Sequence, residues 1–85
     1  MEIIFLPQAL EDLAFWKKSG NKQVQQKITL LIEAIVEIPF EGIGTPEALK
    51  HELTGKWSRR INREHRLVYE VEGNTLSIYQ LRFHY

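Results

Sequence analysis

Cysteine is absent from this 85-residue chain, which excludes a disulfide framework and any zinc site built on thiolates. A chain of that length is one domain, residues 1–85, close to the smallest size that buries an adequate core without a covalent or metal staple. Stability must come from apolar packing, which a hydrophobic fraction of 44% allows, or partly from a partner. The lack of cysteine is also compatible with a reducing cytoplasm. No apolar run approaches the roughly 18 residues of a membrane span, and no basic-then-apolar leader opens the chain. A soluble, unprocessed, cytoplasmic protein without a membrane partner is expected. Three histidines, at 51, 65 and 84, without cysteine or a His-x-x-x-His pair, make no familiar ligand set, so neither metal nor cofactor is expected.

Arginine is missing from the first half of the chain. Residues 1–43 carry four lysines against six acids, whereas residues 44–85 carry seven Lys/Arg against five acids, so a formal charge of zero conceals a basic C-terminal half. Lys50, Lys56, Arg59, Arg60, Arg63 and Arg66 crowd one stretch that holds only two acids, Glu52 and Glu64. Planar guanidinium forks suit phosphate, although surface charge also fluctuates this much by chance.

The pattern of the chain predicts an α+β domain: an N-terminal strand, a helical hairpin, then an antiparallel sheet of three more strands covered on one face by the helices. Glu2–Phe5 reads as a strand buried on at least one face. Pro7 can open a helix with Leu6, Ala9, Leu10, Leu13 and Trp16 inward and Gln8, Glu11, Asp12 and Lys18 outward. Gly20 can stop it in the left-handed conformation and Asn21 can cap a second helix from about Lys22 to Glu37. That helix presents Val24, Ile28, Leu31, Ile32 and Ile35 as its stripe. Leu30 and Val36 lie off the stripe, either as ordinary exposed residues or as a contact with another chain. Pro39 ends the helix, and Thr45-Pro46-Glu47 reads as the start of a short helical turn.

Strands are expected from His51 or Lys56 to Asn62, from Arg66 to Val71 and from Leu76 to His84, with a hairpin turn at Glu72-Gly73-Asn74. Alternation sends Trp57, Ile61, Leu67, Tyr69, Val71, Tyr79, Leu81 and Phe83 toward the helices, and Arg60, Arg66, Arg82 and His84 away. Leu76 and Ile78 share the parity of Arg82 and His84, so either a bulge shifts the register or the basic face is partly apolar.

A face of arginines with a histidine and a nearby carboxylate suits reaction at an RNA phosphodiester, because the ribose 2′-OH can attack its own phosphate once deprotonated. Glu47 is the candidate base, although a first-turn glutamate also favours the helix dipole without any chemistry. His84 is the candidate acid, set against the common fraying of chain ends. Arg66, with Lys50, Arg60 and Arg82, would hold phosphate, or the face would bind nucleic acid and do no chemistry. Tyr85 could stack on a base or donate its phenol. His65, of core parity beside Leu67, reads as structural.

Pro39-Phe40-Glu41-Gly42, Gly44-x-Pro46-Glu47-x-Leu49-Lys50-His51-x-Leu53-x-Gly55, Trp57-Ser58-Arg59-Arg60-Ile61, Glu64-His65-Arg66-Leu67-Val68-Tyr69 and the ending Arg82-x-His84-Tyr85 together resemble the Txe/YoeB toxins of bacterial toxin–antitoxin systems, within the RelE/ParE superfamily. The resemblance implies a RelE-like, microbial-ribonuclease-like fold. It also implies a metal-independent mRNA interferase that enters the A site of the 70S ribosome and cuts the translated mRNA, leaving a 2′,3′-cyclic phosphate and a 5′-hydroxyl. Family roles fall on Glu47 as general base, His84 as general acid and Arg66 as phosphate clamp, with Lys50, Arg60 and Tyr85 in support. The implied partners are a cognate antitoxin of the YefM/Axe kind (Phd family), whose C-terminal segment covers the toxin, and a second copy in a homodimer. Two other readings remain: a ParE-like toxin acting on a protein target, and a non-catalytic RNA- or ribosome-binding module.

Overall fold

A computed structural model describes residues 1–83. Strand β1 (Glu2–Phe5) leads into helices α1 (Pro7–Ser19) and α2 (Lys22–Glu37), followed by β2 (Glu47–Ala48), a single 3-10 turn at His51–Leu53, β3 (Trp57–Arg60), β4 (Arg66–Glu72) and β5 (Thr75–Gln80). The helical hairpin forms for the reasons its sequence states. Pro7 occupies the first turn of α1, and Gly20 takes φ 73° at its end, where a residue without Cβ has no steric penalty. The Asn21 side chain then accepts a hydrogen bond from Val24 N–H at 3.1 Å and caps α2.

The strands form one five-stranded sheet in the order β1-β5-β4-β3-β2. β1 runs parallel to β5 and the other pairs are antiparallel. A parallel neighbour needs a long crossover, which the hairpin supplies, so the sheet is mixed. The helices pack Ala9, Trp16, Val24, Ile28, Leu31 and Ile35 against Ile61, Leu67, Tyr69, Leu76, Ile78 and Leu81. Leu49 and Val68 are also buried but stand outside that cluster.

Several expectations are corrected. β1 lies at the sheet edge, where Ile3 and Ile4 are each 40% exposed and Phe5 supplies the packing. On α1 the inward position belongs to Asp12 and not Leu10, which is exposed. Asp12 is buried because its carboxylate accepts from the Leu81 N–H at 3.0 Å and from the Gln8 amide at 2.9 Å, and a polar group with such partners can leave water at little cost. Thr45-Pro46-Glu47 opens no helix; Glu47–Ala48 instead pairs with β3, and Thr45 takes a left-handed φ of 51°. The last strand ends at Gln80, before Leu81 to Phe83.

The parity conflict is resolved by a bulge. Val68 pairs with Gln80 but Tyr69 pairs with Ile78, so Tyr79 is an extra residue in β5. Leu76, Ile78 and Leu81 therefore all reach the core. Tyr79, predicted inward, instead donates its phenol to Glu70 at 2.8 Å, with the Lys56 ammonium 4.6 Å from its ring centre.

Candidate active site

Sheet register defines the site. Trp57, Leu67 and Tyr69 pack with the core beneath the helices, so the alternate positions, Ser58, Arg60, Arg66 and Val68, belong to the opposite face. Glu47 stands opposite Ser58, Ser58 opposite Val68, and Val68 opposite Gln80, forming a row across four strands. One pleat along, Arg60 stands directly opposite Arg66. Strand spacing puts the backbone of Glu47 roughly 7–8 Å from Arg60 and roughly 12 Å from Arg66, a gap that a glutamate and an arginine can close around one phosphate. Two like charges directly opposite are ordinarily unfavourable; an anion between them removes the repulsion.

The loop that delivers Glu47 is held from below by Arg59. Its guanidinium is fully buried and donates to the carbonyls of Ile38 (2.7 Å), Glu41 (2.8 Å) and Ile43 (3.1 Å), while Nε reaches the Tyr69 hydroxyl at 3.3 Å. Tyr69 in turn donates to the Pro39 carbonyl at 2.6 Å. Burial pushes the Tyr69 phenol pKa above 10.0, against the opposing influence of Arg59. Gly44 closes the loop onto β3: the Arg60 N–H donates to its carbonyl at 2.6 Å, and its φ is 82°. Arg59 thus leaves the phosphate-binding footprint and becomes a structural cation. Its parity between Trp57 and Ile61 was the available signal.

Arg66 is set by the turn before it. The Asn62 side chain accepts from the N–H groups of Glu64 and His65, both at 2.9 Å, a local bond pattern that asparagine favours. The Arg66 guanidinium donates through one nitrogen to Asn62 O at 3.1 Å and His65 O at 3.4 Å. Lys50 is exposed on the lip of a hollow of about 320 Å³ that it shares with Glu47, Ala48, Leu49, His51 and Leu53.

Arg82 departs from the arrangement expected of it. Its guanidinium carbon lies 3.4 Å from the ring centre of Phe15 on α1 and 4.4 Å from that of Phe83, so it leans toward a helix rather than standing beside Arg66 on the open face. Its Nε is buried without a hydrogen-bond partner among the described residues. His84 and Tyr85 lie outside the described residues. The His65 ring meets Trp16 edge-on at 4.9 Å, and its Nδ1 accepts from the Phe83 N–H at 2.7 Å. Leu30 and Val36 are 53% and 38% exposed. Among the described residues no group of His, Cys, Asp or Glu is placed to hold a metal ion, and no helix is long and apolar enough to cross a membrane.

The same fold occurs in solved toxins. A "YoeB/ParE toxin" from Agrobacterium tumefaciens superposes with a TM-score of 0.96 at 40% identity, with all of both chains covered. The Staphylococcus aureus YoeB of a YoeB–YefM complex superposes at 0.90 with 46% identity, over 100% of this chain and 98% of that one, and the S. aureus YoeB of a dimer structure at 0.91 with 45% and the same coverage. The fold is that of the RelE-like toxins, in the α+β class. Residues 5–85 match the family model described as "YoeB-like toxin of bacterial type II toxin-antitoxin system", and a Toxin YoeB of Synechocystis is 48% identical over 85 residues, 100% of this chain and 98% of the relative. The chain belongs to the YoeB toxin family and is a toxin of a toxin–antitoxin system.

Proposed function

We propose that this toxin is a ribosome-dependent endoribonuclease that cuts translated mRNA in the A site. The observation that carries the proposal is the directly opposed Arg60–Arg66 pair on the sheet face that also bears Glu47: a costly pairing of cations, one pleat from a carboxylate, suits a phosphodiester. Glu47 takes the proton of the ribose 2′-OH. The 2′ oxygen attacks the adjacent phosphorus, and Arg66, with Arg60, stabilises the charge that builds on the phosphoryl oxygens. The bond to the 5′ oxygen then breaks, and His84 gives that oxygen a proton. The products are a 2′,3′-cyclic phosphate and a 5′-hydroxyl, and the chemistry draws on no metal. Lys50 binds flanking phosphate from the lip of the hollow, and Tyr85 stacks on or donates to the substrate.

The ribosome supplies what a shallow open face lacks, a bound and oriented message. The cognate antitoxin, of the YefM/Axe kind, silences the toxin by covering this face with a segment that folds on binding, in keeping with the YoeB–YefM complex of S. aureus. A homodimer is the expected free form, in keeping with the S. aureus YoeB dimer. The test is to map message ends in translating extracts with wild type, Glu47→Ala, Arg66→Ala and His84→Ala. Cleavage by wild type and a loss of about 100-fold or more in each variant is expected. Cleavage that survives all three substitutions refutes the mechanism, and an uncut message with wild type favours a protein target.

A further inference from the structure

Between the end of β5 and the terminal dipeptide, the chain is tied to the rest of the molecule by its own backbone. The Leu81 N–H donates to the Asp12 carboxylate at 3.0 Å, and the Leu81 carbonyl accepts from Trp16 Nε1 at 2.8 Å. The Phe83 N–H donates to His65 Nδ1 at 2.7 Å, and the Phe83 carbonyl accepts from the Arg66 N–H at 3.1 Å. Phe83 itself takes a left-handed φ of 66°, a conformation that a non-glycine residue keeps only where its surroundings enforce it. The shortest of these contacts is the bond to His65 at 2.7 Å, a residue that no step of the cleavage chemistry uses.

We infer that His65 is a positioning residue: by accepting the Phe83 N–H at Nδ1, it fixes the backbone from which the chain continues to His84, so that the general-acid step depends on it. The inference rests on the reading of His84 as general acid. Geometry supports a specific role over plain packing. His65 immediately precedes Arg66, whose guanidinium donates to the His65 carbonyl and whose N–H holds the Phe83 carbonyl, so the clamp and residue 83 are held from one point. Trp16 fixes the imidazole plane edge-on from the other side. An error of about 1 Å in such placement costs about 100-fold in rate.

The proposal predicts a defect confined to protonation of the leaving group. His65→Leu keeps the volume and deletes the acceptor; kcat on a ribosome-bound message is expected to fall about 100-fold with KM within about twofold of wild type. His65→Asn places an oxygen at the δ position and is expected to recover most of the loss. The decisive substrate is a message with sulfur in place of the bridging 5′ oxygen at the cut. The P–S bond then breaks with its electron pair on sulfur, and the thiolate leaves without a proton. His65→Leu and His84→Ala are both expected to approach the wild-type rate on this substrate. Where His65→Leu does not fold, an amide-to-ester replacement at residue 83, which removes the N–H alone, is expected to show the same loss and the same recovery. Recovery of His84→Ala without recovery of the folded His65→Leu or the ester overturns the positioning role. A wild-type rate of His84→Ala on the ordinary oxygen-bridged message removes the acid role itself, and the inference with it.

Discussion

Replacing Arg59 by methionine tests whether the loop before Glu47 is held by a buried cation. Methionine fills similar space but leaves the carbonyls of Ile38, Glu41 and Ile43 and the Tyr69 hydroxyl without their donor. Hydrogen bonds to a charged group contribute about 1.5–3 kcal/mol each, and relief of guanidinium desolvation offsets part of their loss. A net destabilisation of about 3 kcal/mol follows. A domain of this size has about 4–13 kcal/mol in total, so the melting temperature should fall by about 12–24 °C. Urea unfolding followed by tryptophan fluorescence reads the change directly, and the midpoint is expected to drop by more than about 1 M. Arg60→Met is the control. Its neighbour in sequence is exposed and faces Arg66, so stability should stay within about 0.5 kcal/mol of wild type. An unchanged midpoint in Arg59→Met, or equal losses in both variants, refutes the structural role of Arg59.

Gly44→Ala should cost about 2–4 kcal/mol, because a Cβ there would lie 2.7 Å from the Leu31 side chain and 3.1 Å from Arg59 Cβ at a φ of 82°; thermal melting reads it, and an unchanged melting temperature contradicts the close approach. The Tyr79 phenol has its pKa raised above 10.0, first by its hydrogen bond to Glu70, and burial raises Tyr69. Both folded-state values exceed the unfolded one, so their contribution is complete below about pH 10 and is lost as pH rises through the folded values. Absorbance titration of tyrosinate should show Glu70→Gln bringing one phenol back toward the ordinary value, and an unaltered curve contradicts the bond. Affinity for programmed ribosomes should weaken as salt rises, and Arg60→Ala should reduce the slope of log affinity against log salt by about 0.7. A salt-independent affinity means that shape and apolar contact dominate.

Much of the fold was legible because local rules and tertiary structure agree along the hairpin: Pro7, Gly20 and Asn21 stand at the helix ends where their backbone chemistry puts them. The failures fall where a distant partner decides. Asp12 has no local reason to be buried, and its acceptor role exists because Leu81 arrives there from 69 residues away. Glu47 joins a strand because β3 offers it an edge, which the cap-like Thr45-Pro46-Glu47 cannot reveal. Parity predicted Arg60 and Arg66 on one face, and register then placed them directly opposite. The same parity failed beyond the bulge at Tyr79, where one extra residue reverses the side of everything upstream. Arg59 stood among cations of like kind, and only its parity between Trp57 and Ile61 set it apart in the sequence.

The central claim, that the sheet face bearing Glu47, Arg60 and Arg66 cuts RNA through the substrate's own 2′-OH, is tested most directly by one substitution in the message. A single 2′-deoxy nucleotide on the 5′ side of the mapped cut, presented on a translating ribosome, should abolish cleavage at that bond while the toxin still binds with wild-type affinity. Continued cleavage at the deoxy position would contradict the mechanism, because no internal nucleophile would then remain.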